Sequence, residues 1–274
     1  MYVDSHCHLN YTGLVEHFDD VIQRAKDAHV SHMVCICSRL DEFPSITKLT
    51  EHHDNIYCSV GIHPHDCGES EIASPSQLVE LARHPKVIGI GETGLDFFYE
   101  NSPEEKQIEN FKNHIKAARE TNLPIIIHTR EADNKTIEIL KKTTQEEGPF
   151  PGLIHCFSTD KKVADCALEL GFYISISGII TFKNADNLRD IVKTIPLERL
   201  LIETDAPFLA PVPKRGRTNE PSFIPHTAKM LADLFDLDSE ELGRITSNNF
   251  FKLFTKAQFC LLYTSPSPRD QRGS

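Results

Sequence analysis

The chain has 274 residues, of which 39% are hydrophobic and 25% charged, and no apolar run approaches the roughly 20 residues a membrane helix requires. This length accommodates one large α/β domain, since barrels of about 250 residues commonly form a single unit, and a second full domain is not required. The 29 basic and 40 acidic residues give a net charge of −11, which argues against a broad basic surface for gripping duplex DNA.

The chain opens Met-Tyr-Val-Asp-Ser-His, with neither a basic leader nor a long apolar stretch, so no secretory signal is readable and the cytosol is the expected compartment. Short β-branched runs then recur at Tyr2 to Asp4, His32 to Ile36, Ile56 to Ile62, Val87 to Ile90, Pro124 to His128, Gly152 to His155, Phe172 to Ser177 and Leu200 to Glu203. Between them, stretches such as Glu104 to Glu120, Lys161 to Leu170 and Asn187 to Ile195 repeat apolar residues at three- and four-residue intervals, as helices covering a sheet do. Strand and helix alternating eight times predicts an α/β fold closed into a (β/α)8 TIM barrel, with an open doubly wound sheet as the structural alternative. Two further helices are expected at Pro225 to Phe235 and Ser239 to Phe254, the second starting at Ser239-Glu240-Glu241.

The barrel domain is expected over residues 1–256. Residues 257–274 end in a Ser/Pro/Arg stretch without periodicity and read as a disordered or non-native tail. The eight cysteines include no Cys-x-x-Cys pair and read as reduced thiols; Cys35 and Cys37 suit small buried side chains on a strand.

Chemistry concentrates where the predicted strands end. His6 and His8 lie two apart, so a pleated strand turns both to one side and Cys7 away. An isolated pair of this kind is more often a surface or capping feature. Here, however, Glu92, His128, His155 and Asp205 also follow strand candidates, and in a parallel barrel all strand C-termini open on one face. Five strand ends thus deliver six donors to one pocket. Burying such groups unpaired is costly, and two shared divalent ions would satisfy all six. A His and carboxylate set without thiolate suits Zn²⁺, Mn²⁺ or Mg²⁺, and Glu92 can bridge ions roughly 3.5 to 4 Å apart.

Eight stretches together resemble the TatD family of metal-dependent deoxyribonucleases, in family order from residue 2 to about 255: DSHCHL at 4–9, GIHPH at 61–65, GIGETGLD at 89–96, IHTREA at 127–132, HCFS at 155–158, SGIITF at 177–182, ETDAP at 203–207 and RTNEP at 217–221. The resemblance implies one metal held by His6, His8, Glu92 and Asp205, a second by Glu92, His128 and His155, and phosphodiester hydrolysis, typically as a 3′ to 5′ exonuclease on DNA. It also implies that His63 and His65 face substrate phosphate. Thr159 stands where the family often has glycine, which constrains the loop carrying Ser158, a further phosphate contact by this reading.

Arg130, two residues past His128, is placed to clamp a phosphate, with a rim salt bridge as its bland alternative. Lys214-Arg215-Gly216-Arg217 is the one dense basic cluster, and Arg217 is its candidate for a backbone phosphate contact beside the metals. Glu203 shares the facing of Asp205 but lies deeper, as a hydrogen-bond acceptor for a ligand or a buried structural acid. In the expected mechanism Asp205 orients or deprotonates the attacking water, Glu92 bridges, and the product carries a 5′-phosphate. The expected partner is DNA or RNA as substrate, with no membrane, and the expected state is a monomer.

Two other function classes fit parts of the pattern. A small-molecule amidohydrolase or lactonase on the same barrel shares the histidines and final aspartate, but many binuclear members bridge through a carbamylated lysine where this chain has Glu92. A non-catalytic, metal-dependent nucleic-acid-binding protein is disfavoured because all six donor positions are filled.

Overall fold

The computed structural model describes residues 1–68, 72–99 and 101–257; the tail expected at 257–274 lies outside these beyond Ala257. Eight parallel strands run β1 (Tyr2–Cys7), β2 (Val30–Cys35), β3 (Ile56–Val60), β4 (Val87–Asp96), β5 (Ile125–Arg130), β6 (Gly152–Ile154), β7 (Tyr173–Ile176) and β8 (Leu200–Ile202), each paired with the next in sequence. A doubly wound sheet would reverse strand order partway across; this order never reverses. The intervening helices are α1 (Phe18–Asp27), α2 (Phe43–Glu51), α3 (Pro75–Leu81), α4 (Glu104–Thr121), α5 (Asp133–Glu147), α6 (Lys161–Glu169) and α7 (Asp186–Val192), followed by α8 (Ile224–Leu234) and α9 (Ser239–Leu253). α9 starts at Ser239 as expected, and Asp238 before it is the cap, its carboxylate accepting from the Glu241 N–H at 2.7 Å at the positive end of the helix dipole.

Alternation along the strands separates two cores. One residue from each of the eight strands (Val3, Val34, Tyr57, Ile88, Ile126, Leu153, Tyr173, Leu201) packs with Phe250, Leu253 and Phe254 from the end of α9. These fill the barrel interior and plug its lower end. The other strand residues, including Met33, Cys35, Ile56, Cys58, Ile125, Ile154 and Ile174, pack outward with α1 to α8. Cys35 is among them, Cys37 is buried nearby, and the seven described cysteines are all free.

The barrel closes between β1 and β8 largely through side chains. A single backbone bridge joins Cys7 to Ala206. Beside it, Ser5 Oγ donates to the Ile202 carbonyl at 3.0 Å, and Asp4 accepts from the Thr204 N–H at 2.9 Å and from the Thr204 hydroxyl at 2.5 Å. Burial pushes the Asp4 carboxyl up to about 7 against these hydrogen bonds.

Two strands carry an irregularity just where donors leave them. In β4, Ile90 pairs with Ile125 and Thr93 with Ile127, so one extra residue is accommodated at Gly91-Glu92. The expectation that β4 ends at Ile90 with Glu92 beyond it is therefore corrected: the strand continues to Asp96, and the bulge aims Glu92 into the barrel mouth. Glycine makes this possible. Gly91 has φ +139° and Gly94 φ +137°, and a Cβ at Gly94 would lie 2.0 Å from the His128 carbonyl oxygen. An equivalent irregularity lies between Asp4 and Cys7 in β1, and both His6 and His8 still reach one cluster.

Gly94→Ala should destabilise the protein by on the order of 3 kcal/mol, from overpacking and backbone strain at one site, read as a lowered denaturation midpoint. His114 of α4 should make stability depend on pH. The Ile62 N–H donates to its Nε2 at 3.0 Å, and its Nδ1 donates to the Asn110 carbonyl at 2.8 Å. Burial holds this neutral imidazole down at about 4. The resulting stability is present above the ordinary histidine value of 6.5 and is lost as pH falls from there toward 4, by on the order of 3 kcal/mol. The fall in melting temperature between pH 7 and 4.5 should be smaller in His114→Gln than in the parent chain; an identical fall would remove His114 as its source.

Candidate metal centre

At the C-terminal mouth of the barrel, the apolar interior stripe gives way to donors two residues further along the strands. His128 follows inward-facing Ile126 in β5, His155 follows Leu153 just past β6, and Glu203 follows Leu201 just past β8. Asp205 comes next on that segment with φ 56°, a left-handed conformation that aspartate tolerates better than most residues; its N–H donates to the His6 carbonyl at 2.9 Å.

Glu92 is the centre of the arrangement, and its two oxygens face different partners. Oε2 lies 3.3 Å from His6 Nε2 and 3.9 Å from His8 Nε2, while Asp205 Oδ1 lies 3.5 and 3.6 Å from the same two nitrogens. Oε1 lies 2.7 Å from His155 Nε2, 3.2 Å from His128 Nδ1 and 3.4 Å from His63 Nε2. All six expected donors are thus brought together around one carboxylate, in two groups.

Hydrogen bonds behind the rings decide which nitrogen of each faces the cluster. A carboxylate only accepts, so His128 Nε2 donates to Asp96 Oδ2 at 3.0 Å, and His155 Nδ1, 3.3 Å from Glu203 Oε1, carries the proton on that side. His128 Nδ1 and His155 Nε2 are then the nitrogens that face Glu92 and each other, 3.3 Å apart, and they would offer lone pairs once a cation displaces the protons that Glu92 draws onto them. His63 has the opposite tautomer. Its Nδ1 accepts from the His65 N–H at 3.1 Å, so the neutral ring carries its proton on Nε2, and burial holds it neutral down to about 4. Although His63, Glu92 and His128 lie close enough together to hold an ion, His63 is presented as a donor, the polarity that suits a phosphate oxygen.

The residues fit a divalent cation. His6 is fully buried with neither ring nitrogen hydrogen-bonded, and His8 Nδ1 is likewise unpartnered. Such groups are rare in protein interiors without another partner. The charge pattern agrees. Burial works to raise Glu92, but His155, His63 and His6 outweigh it and hold this carboxylate well below its ordinary range. Burial would lower His155, yet Glu92 and Glu203 push it well above the usual imidazole value. Carboxylates that hold a proton on a buried imidazole so strongly also favour a metal ion in their midst.

Asp96 was missed by reasoning from strand ends. Fully buried at the end of β4, it accepts from His65 Nε2 at 2.8 Å as well as from His128, and its second oxygen accepts from the Phe98 and Tyr99 N–H groups at 3.0 and 3.2 Å. Its signal in the sequence is the four-residue spacing from Glu92, hidden because the β-branched run reads as ending at Ile90 while the strand continues to Asp96. Glu203 takes the expected accepting role, receiving the Cys156 N–H at 2.9 Å.

The remaining expected contacts lie toward the rim. Arg130 is exposed, with its guanidinium 3.9 Å from the Phe98 ring centroid and 4.9 Å from that of Tyr99. Ser158 and Arg217 are exposed on the loops after β6 and β8. Within the basic run, Lys214 and Arg215 lie over the Phe223 and Phe182 rings, and Arg215 and Arg217 are both exposed. Thr159 ties the Ser158 loop to the start of α5, its hydroxyl donating to Asp133 Oδ1 at 2.5 Å.

An eight-stranded parallel barrel with this His and carboxylate cluster at its mouth defines the class of metal-dependent TIM-barrel hydrolases. Residues 3–255 match the family described as TatD related DNase, and the chain belongs to that family. It is 40% identical over 255 residues to the uncharacterized metal-dependent hydrolase YcfH of Escherichia coli, covering 92% of this chain and 95% of that one. It is 34% identical over 242 residues to a protein of Escherichia fergusonii named 3′-5′ ssDNA/RNA exonuclease TatD, covering 86% of this chain and 92% of that protein. The crystal structure of YJJV, a TatD homolog from E. coli, superposes with a TM-score of 0.85 at 29% identity, over 93% of this chain and 98% of that one. Among the described residues no helix is long and apolar enough to cross a membrane.

Asp96→Asn should weaken metal binding about 10- to 100-fold, because an amide whose oxygen accepts from His65 and His128 sets its NH2 against the Phe98 and Tyr99 N–H groups. Titration calorimetry with Mn²⁺ checks this; unchanged affinity would separate Asp96 from the metal centre.

Proposed function

We propose that the chain hydrolyses phosphodiester bonds of DNA, and by the same chemistry RNA, from the 3′ end, with two divalent ions held by His6, His8, Glu92 and Asp205 and by Glu92, His128 and His155. The observation that carries this reading is the split of Glu92, whose two oxygens face two separate sets of imidazole nitrogens that could each ligate an ion in place of a proton. The relative named as a 3′-5′ ssDNA/RNA exonuclease supports the choice of substrate. Divalent ions in such a site supply an activated water near neutral pH and neutralise the charge gathering on the scissile phosphate.

The chain's own residues do the rest. Asp205 has a side chain 14% exposed, open enough to reach water, and takes the proton of the attacking nucleophile. Burial would raise its pKa, but His8, His6 and His155 outweigh this and keep it ionised, ready to accept. His63 offers its Nε2 proton to a phosphate oxygen, while Asp96 fixes His65 beside it. Arg130, Ser158 and Arg217 contact the backbone phosphates at the rim. Attack at phosphorus breaks the bond to the 3′ oxygen, so the shortened strand keeps a 3′-hydroxyl and the released nucleotide carries a 5′-phosphate.

Purified protein incubated with single- and double-stranded DNA, RNA and a panel of cyclic amides and lactones, in Mg²⁺, Mn²⁺ or chelator, tests this. Nucleic acid should be shortened from its 3′ end in metal and left intact in chelator. Glu92→Gln and His128→Ala should each lower kcat by about 100-fold or more, the scale on which loss of one electrostatic or acid-base contribution registers. Nuclease activity that survives His128→Ala would sink the site assignment, and turnover of amides or lactones alone would assign the barrel to small molecules.

A further inference from the structure

Three aromatic side chains are exposed among the described large hydrophobic residues: Phe98 at 52%, Tyr99 at 44% and Phe208 at 49%. All three lie on segments leading from the strand ends that carry the metal cluster, Phe98 and Tyr99 after β4 and Phe208 after Asp205. Leaving such rings in water forgoes the stabilisation of burying them, so their gathering at one mouth asks for a ligand.

The Phe98–Tyr99 pair is built to stay in place. Both backbone N–H groups donate to Asp96 Oδ1, whose other oxygen accepts from His128. The Tyr99 ring meets His65 edge-on at 5.3 Å, and Phe98 meets Tyr99 edge-on at 4.8 Å. The shelf is therefore fixed to the acid that orients a metal-facing imidazole. Arg130, itself exposed, lies over both rings. A guanidinium stacked this way keeps its N–H edge for a phosphate while its charge adds cation–π attraction to the stack. Phe208 differs, standing edge-on to His8 and Tyr11 beside the other metal position.

Resting on the phosphodiesterase reading above, we propose that the Phe98–Tyr99–Arg130 shelf stacks the terminal unpaired nucleobase of the strand whose last phosphodiester enters the metal centre. A π-face is common to all bases, so the shelf is indifferent to sequence; it requires a base free of its partner. On a chain of net charge −11, this gives strand ends a local hold that a general basic surface does not provide.

The test is direct binding by the full chain in Mg²⁺. The probe is an eight-nucleotide single strand with 2-aminopurine at its 3′ end and a phosphorothioate last linkage to slow turnover, compared with the same strand ending in an abasic site. The parent protein should quench the 2-aminopurine. Phe98→Ala combined with Tyr99→Ala should abolish the quench and raise Kd about tenfold or more, the range of a lost base–aromatic stack. The abasic strand should bind parent and variant equally, and Phe98→Tyr should behave as the parent. Equal weakening for both strands, a quench that persists in the double variant, or one lost only in Phe208→Ala would each overturn the shelf. If those outcomes came with intact strand cleavage by the parent, only the shelf would fall; if the parent neither bound nor cleaved either strand, the phosphodiesterase reading would fall with it.

Discussion

A carboxylate buried at the mouth of a parallel barrel is the constraint around which this molecule is organised. Glu92 is almost inaccessible and remains ionised only because imidazoles surround both of its oxygens. Its place depends on a bulge, and the bulge on glycines that let β4 pass close to β5. Remove the extra residue and the side chains beyond it would change faces, taking the carboxylate out of the cluster. Backbone geometry in one strand is thus what permits the cluster's chemistry.

Around this centre, the orientation of each imidazole is set from behind. Asp96 receives the outer proton of His128, and Glu203 that of His155, so the inner nitrogen of each ring is the one left to face Glu92 and any cation beside it. His63 receives a backbone N–H instead and turns a proton inward. Rings a few ångströms apart are thereby divided between those that can hold a cation and one that can donate to an anion. Composition could not make that division, because it depends on which partner each outer nitrogen meets.

The sequence was legible where a signal repeats or converges. Eight β-branched runs with amphipathic stretches between them indicated the barrel, and His6, His8, Glu92, His128, His155 and Asp205 stood out because each lies at the end of such a run. Asp96 was not legible by the same rule, since the run at Val87 to Ile90 reads as ending before Gly91, and a strand irregularity hides the pairing of Thr93 to Asp96 with β5. The facing of His63 was beyond sequence for another reason: its tautomer depends on the His65 N–H, a contact set by a tight turn at Pro64. The stacking of Arg130 on Phe98 and Tyr99 joins the last residue of β5 to the loop after β4, which are adjacent only because the two strands pair.

The two halves of the cluster draw on very different spans of chain. Glu92, His128 and His155 come from three neighbouring strands, whereas His6 and His8 meet Asp205 across the seam where the first strand finds the last. As the protein is made, the first half can assemble once β6 has emerged, but the second must wait until nearly the whole barrel has left the ribosome. An ion seated there would then act as a clasp joining the beginning of the polypeptide to its final strand, so that the growing chain acquires its full complement of metal only when the barrel has closed.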